Sequence, residues 1–288
     1  MTSVLFDAPG PRAKKLNVVL NIVTVIVVLT IAGFIAYRFY ETGQFTEAKW
    51  KIFSFPLVQE RILEATLATL KAFALGAVLS LILGLILAIG RMSDHAWVRI
   101  PCTWFVELFR AVPLLILMMI MYYGLPPLGV DFMTPFLAVV IGLALYNGSV
   151  LAEVFRSGVE SLPTGQREAG YAIGLRKSQV LSIILMPQAI RAMLPVIISQ
   201  LVVILKDTAL GFIVTYQELL FLAKYLGTQG QYGSPIIPSA IVVGAIYVGL
   251  CLILSGIAKF VEAWSRRSPK ASKGVEEKLQ LEAENLSA

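Results

Sequence analysis

Six long stretches of nearly uninterrupted apolar character constrain this chain more than any other feature. A bilayer core about 30 Å thick is crossed by roughly 20 mostly apolar residues in a helix. Stretches that meet or approach this length fall at 16–40, 66–90, 105–125, 135–155, 183–205 and 236–260. The expectation is an all-α membrane protein with six transmembrane helices. Lys71 interrupts the second stretch, and Pro187, Arg191 and Pro195 lie in the fifth. Lys71 and Arg191 fit this assignment only near a helix end or facing protein instead of lipid.

Composition agrees. Apolar residues make up 57% of the 288 positions and charged residues 15%, where a soluble domain carries about 25% charged. An ordinary soluble enzyme, a disordered chain and a disulfide scaffold are thereby excluded. Cys102 and Cys251 lie far apart in or beside apolar runs and read as small buried hydrophobes. The single histidine, His95, sits beside Asp94 in a short polar loop and reads as solvated. One histidine and two separated cysteines build no metal set, and no catalytic constellation stands out.

Lysine and arginine positions set the orientation. With the N-terminus in the cytoplasm, 16 of the 24 lie inside, among them Arg12, Lys14, Lys15, Arg91, Arg99, Arg167, Arg176 and Lys177. Six lie outside: Arg38, Lys49, Lys51, Arg61, Lys206 and Lys224. Both termini are therefore expected in the cytoplasm. The net charge of +6 is a topological signal and calls for no nucleic acid. The first stretch is too long for a cleaved secretory signal and lacks a small-x-small site after it, so it reads as a retained anchor. The chain divides into a basic N-terminus (1–15), an N-terminal transmembrane helix (16–40), a transmembrane domain (66–262) containing a long loop (157–182), and a polar tail (263–288).

That loop is no generic connector. Pro163 and Gly165 end the preceding helix and turn the chain. Residues 166–173 then form a short helical stretch, with Gly174 placed to cap its C-terminus. A free helix of this length is marginal in water. It needs a partner surface, either a groove of another protein or this protein's own base and the membrane, and physics alone does not choose between them.

The residues themselves carry a resemblance. Glu168-Ala169-Gly170, then Gly174, then Ile184-Leu185-Met186-Pro187, resembles the E-A-A-x3-G-x9-I-x-L-P loop of ABC-importer permeases, with Gly170 for the second alanine and Met186 for leucine. Residues 106–115 (VELFRAVPLL), 151–158 (LAEVFRSG), 165–168 (GQRE) and 205–210 (LKDTAL) resemble segments of the polar amino-acid permeases, most of all bacterial glutamate permeases. The resemblance spans about 66–260. It implies a type I permease core of five helices, to which the helix at 16–40 is an N-terminal addition, in the bacterial inner membrane.

It also implies a mechanism. The loop helix, with Gly165, Gln166, Glu168, Ala169, Gly170 and Gly174, would fit a cleft on a dimeric ATP-binding subunit. ATP hydrolysis there would drive the permease between inward-open and outward-open states. The chain has no G-x-x-x-x-G-K-[ST] phosphate loop, so ATP and Mg²⁺ would be held by that partner, with no cofactor on this chain. A second permease half, identical or homologous, and an extracytoplasmic solute-binding protein would complete the machine. The competing class is a self-contained secondary transporter or channel, for which two related halves with broken helices are expected; no such symmetry is visible.

Two sets of residues remain. Glu107/Arg110 and Glu153/Arg156 repeat the pattern E-x-F-R, each pair on one helix face at i,i+3. By the orientation above, both lie near the cytoplasmic end. They read either as a cross-helix ion-pair cluster stabilising a closed inner gate or anchoring the loop, or as interfacial snorkelling. Asn147 and Ser149 in the fourth stretch, with Lys206, Asp207 and Thr208 at the end of the fifth, are candidates for contacting an amino acid. Lys206 and Asp207 could match a zwitterion. Polar residues of this kind also serve as glue between helices.

Overall fold

A computed structural model describes residues 10–266 of the chain. Nine helices frame them: α1 (Pro11–Glu41), α2 (Pro56–Arg91), α3 (Ala96–Ala111), α4 (Leu114–Met119), α5 (Pro135–Glu160), α6 (Thr164–Ala172), α7 (Met186–Asp207), α8 (Leu219–Gly227) and α9 (Ile236–Arg266). Short helical turns join them. Among the described residues, five segments are long and apolar enough to cross a membrane: Pro11–Glu41, Pro56–Arg91, Pro135–Glu160, Lys177–Val214 and Ile236–Val261.

Helix starts follow from local chemistry. α1, α2 and α5 each open on a proline at the first helical positions, where a missing N–H costs nothing. At α5, Thr134 adds a side-chain cap by accepting from the Leu137 N–H at 3.2 Å. Since α1 opens at Pro11, Arg12, Lys14 and Lys15 belong to its first turns instead of preceding it. Most of the tail expected at 263–288 lies outside the described residues.

The third apolar stretch departs from expectation. Residues 105–125 do not form one continuous helix: α3 and the segment Leu114–Gly124 meet at a 99° bend. Pro113 is the physical cause. It has no N–H to continue the ladder and pushes the residue before it out of helical space; Val112 accordingly sits extended at φ −85°, ψ 125°. Whether the bent pair counts as one span decides between five and six.

Around α2 and α5 the other helices assemble. The two approach closely because Gly84 and Gly148 face each other's helix: a Cβ on Gly84 would meet Leu151 Cβ at 2.8 Å, and one on Gly148 would meet Leu83 Cδ2 at 3.0 Å. Small residues at such crossings are how helices associate in lipid. Buried apolar layers then stack along this axis. One layer, holding Ile52, Ala65, Leu219 and Val243, joins α2 to α8 and α9. A middle layer holds Ala72, Val139, Leu143 and Ile204. Leu87, Val106, Leu151 and Ile197 form the third, and Val159, Val180 and Leu185 the fourth, under α6. Helix α1 contributes nothing to these layers; none of its residues is buried. Lys71 rests its ammonium 5.0 Å from the centre of the Phe136 ring, which accounts for a charge within a long apolar helix.

Candidate functional site

The loop helix α6 begins at Thr164 after the Pro163 turn and ends in two bonds that define its stop. The Leu175 N–H donates to the Gly170 carbonyl at 3.1 Å, and the Gly174 N–H to the Tyr171 carbonyl at 2.9 Å. This is a Schellman motif, which requires a left-handed residue; Gly174 supplies it at φ +83°.

The two faces of α6 differ. Gly170 is buried against the π-turn Val180–Leu185 that leads into α7. A Cβ there would lie 2.8 Å from Val180 Cγ2 and 3.1 Å from Ile184 Cδ1. Glycine in place of the more usual alanine thus lets α6 sit closer to its base. Gly165, Glu168, Ala169 and Ala172 are exposed, on faces turned away from that contact. Gln166 is exposed as well, its Oε1 3.5 Å from Gln188 Nε2. The nine-residue helix is held by one glycine face and left open on the rest.

Next to this loop the structure brings both E-x-F-R pairs together. Glu153 is the hub: it accepts from Arg156 at 2.5 Å and lies 4.0 Å from Arg110. Arg110 in turn reaches Glu107 at 3.7 Å, and Arg156 bonds Glu160 at 2.5 Å. Sequence reasoning missed the residue that closes the cluster. Arg91, at the end of α2 and only 10% exposed, donates to Glu153 at 2.7 Å and lies 3.4 Å from Glu107. Arg91 thus ties α2, α3 and α5 into one network.

Beside it, Asp94 pairs with Lys177. That hydrogen bond holds the Asp94 carboxyl below its ordinary value of 3.8, and it links the α2–α3 turn to the chain just after α6.

The remaining candidates do not converge in the same way. Asn147 and Ser149 are fully buried. Asn147 Oδ1 accepts from Gln200 of α7 at 2.7 Å, while its amide nitrogen and the Ser149 hydroxyl have no hydrogen-bond partner among the described residues. Thr208 is buried and donates to the Leu205 carbonyl at 2.7 Å. Lys206 is exposed and Asp207 half-buried; they form no ion pair with each other.

A cavity of about 740 Å³ opens at the other end of the axis, lined by Arg61, Glu64, Phe136, Tyr216, Gln217 and Tyr225 among others. Its wall is anchored by Glu218, another residue the sequence does not announce. Glu218 is fully buried, caps α8 by accepting from the Leu220 and Phe221 N–H groups at 2.7 and 2.8 Å, and accepts from the Tyr247 hydroxyl at 2.6 Å.

Comparison with known proteins adds to this geometry. Residues 80–267 match the family model described as the binding-protein-dependent transport system inner membrane component. The glutamate transport system permease protein GluD of Corynebacterium glutamicum is 42% identical over 188 residues, 62% of this chain and 66% of that protein. The arginine transport system permease protein ArtQ of Bacillus subtilis is 32% identical over 206 residues, 70% of this chain and 90% of that one. Among solved structures, a chain of an amino acid ABC transporter with histidines superposes with a TM-score of 0.64 at 26% identity, covering 71% of this chain and 94% of its own. A chain of the methionine ABC transporter MetNI in an inward facing conformation superposes at 0.62 and 16% identity, covering 73% and 99%, which shows the shared fold.

Proposed function

The chain belongs to the inner membrane components of binding-protein-dependent transport systems, and on that premise we propose that it is the permease subunit of an ATP-driven importer for a polar amino acid, glutamate or a related acidic or amide amino acid. As a member of that family it is a multi-pass inner membrane protein and a transport component. The substrate class rests on the similarity to GluD and ArtQ.

The observation that carries the coupling role is the loop helix. A nine-residue helix capped at Gly174 and seated through Gly170 presents Gly165, Glu168, Ala169 and Ala172 to its surroundings. Such a helix buries too little to be stable on its own, and a cleft on an ATP-binding subunit supplies the missing contact. ATP and Mg²⁺ belong to that subunit, as a dimer. A second permease half, identical or homologous, encloses the pathway, and a solute-binding protein delivers the amino acid at the outer end, where the Arg61–Gln217 cavity opens. Both termini are cytoplasmic, a reading supported by the lysine and arginine bias.

The network around Glu153 acts in this reading as the inner gate and as the anchor of the loop. It joins the ends of α2, α3 and α5 next to α6, so a displacement of α6 is passed to three helices at once. Asn147 and Ser149 on α5, Lys206 and Asp207 at the end of α7, and Thr208 just after it remain the candidates for meeting a passing amino acid.

The test is association. The ATP-binding subunit encoded with this permease should co-purify with it, and Glu168→Lys or Gly174→Val should abolish co-purification while leaving the permease in the membrane. Retained association in both variants would sink the coupling role. Uptake competition among glutamate, aspartate and glutamine then fixes the substrate.

A further inference from the structure

Between α6 and the ends of α2 and α5 lies a cavity of about 630 Å³. Its lining has two unlike parts. One carries four cations from four different parts of the chain, Arg91, Arg156, Arg167 and Lys177, against two acids, Asp94 and Glu160. The other is aliphatic, built from Met92, Val159, Val180, Leu181 and Leu185. Three of the cations are engaged: Arg91 with Glu153, Arg156 with Glu153 and Glu160, Lys177 with Asp94. Arg167 pairs with no carboxylate among the described residues. Its five donors therefore stand over a cavity with an excess of positive charge.

The chemistry that answers such a lining is an anion joined to an apolar body. A free phosphate would use the cations and leave the aliphatic wall wet. Tyr171 is the only aromatic side chain in the lining, which gives a nucleobase little to stack upon. The aliphatic wall is continuous with the ends of the spanning segments that contain α5 and α7, so it lies where a bilayer leaflet ends. Basic pockets between helices at the cytoplasmic surface are suited to anionic headgroups.

We propose that this cavity binds the phosphodiester headgroup of an anionic phospholipid from the cytoplasmic leaflet, with Arg167 as its principal free cation. The lipid's glycerol and upper acyl carbons take the aliphatic wall. Arg167 and Tyr171 are one turn apart on α6 and share the face turned to the cavity, whereas Glu168, Ala169 and Ala172 do not line it. Lipid and ATP-binding subunit therefore engage different faces of the same helix, and the lipid holds α6 in place for its partner. The inference rests on the cytoplasmic placement of the loop given above, and on neither the transported amino acid nor the ATP-binding subunit.

The experiment reads lipid retention on the full chain in phosphatidylcholine nanodiscs doped with phosphatidylglycerol, by native mass spectrometry after release. Phosphatidylglycerol should be retained in preference to phosphatidylcholine. Arg167→Gln should weaken that preference about fivefold, the value of one interfacial cation, and Arg167→Lys should restore most of it. Lys224→Gln, at the far end of the molecule, should leave it unchanged. Equal retention of the two lipids, or a preference untouched in both Arg167→Gln and Lys177→Gln, would overturn the proposal. Binding of inorganic phosphate with no lipid preference would reassign the cavity to a soluble anion and overturn it equally. No ATP, substrate or partner enters the measurement, so its failure leaves the transport reading standing, and a failure of transport leaves this inference intact.

Discussion

At the scale of single residues, two polar side chains drawn largely out of solvent, Glu218 and Arg91, do what the apolar majority cannot. Glu218 forms no ion pair among the described residues; its carboxyl accepts from two backbone N–H groups and the Tyr247 hydroxyl. Glu218→Ala removes a helix cap, typically about 1 kcal/mol, and takes the acceptor from the half-buried Tyr247 hydroxyl, about 1–3 kcal/mol more. Unfolding in detergent should show a loss of roughly 2–4 kcal/mol, with Glu218→Gln losing less because its amide oxygen still caps. An alanine variant as stable as the parent would contradict the role. Arg91 spans two carboxylates on different helices, which a lysine point charge cannot match. Arg91→Lys should therefore lower coupled uptake at unchanged expression; full uptake would show the network to be ornamental. Glu107, Arg110, Glu153 and Arg156 were legible in the sequence because i,i+3 spacing fixes a shared face. Arg91 and Glu218 were not. Arg91 meets Glu153 across 62 positions, and Glu218 reads locally as one acid in a loop. Both acquire their meaning from tertiary contact.

At the scale of elements, hydropathy located the spans but carried no direction. It measured 105–125 as one crossing, and only the local rule about the residue before a proline separates α3 from the 99° bend that follows. The loop helix was the better-read element, since turn and cap residues act over three or four positions. Gly174→Ala should cost about 1–2 kcal/mol for a left-handed alanine, seen as faster amide exchange over 164–175. Gly170→Ala gains about 1 kcal/mol of helix propensity but loses about 1–3 kcal/mol to overpacking against Val180, so exchange there should also quicken; slower exchange would show that the base yields. The Asp94–Lys177 bond has its own pH signature. The folded-state carboxyl is held below its ordinary value, so its contribution is present above pH 3.8 and is lost as pH falls below that value. Asp94→Asn should remove this acid-side change in loop exchange and leave the neutral-pH profile nearly as it was, because the pair is fully exposed.

At the scale of the whole molecule, the parts fall into one order along the axis. A cavity lies at one end beside α8 and its Glu218 anchor, a close α2–α5 crossing forms the middle, and at the other end an ion network joins three helices beside an exposed loop helix. The order suits a device that takes its energy from outside the chain at one end and its cargo at the other. The most direct test is uptake into proteoliposomes with ATP on the loop side. Labelled glutamate should accumulate only when the ATP-binding subunit, the solute-binding protein and this permease are all present, and Glu168→Lys should reduce accumulation to the background of empty vesicles. Accumulation by this chain alone, without the ATP-binding subunit, would contradict the account.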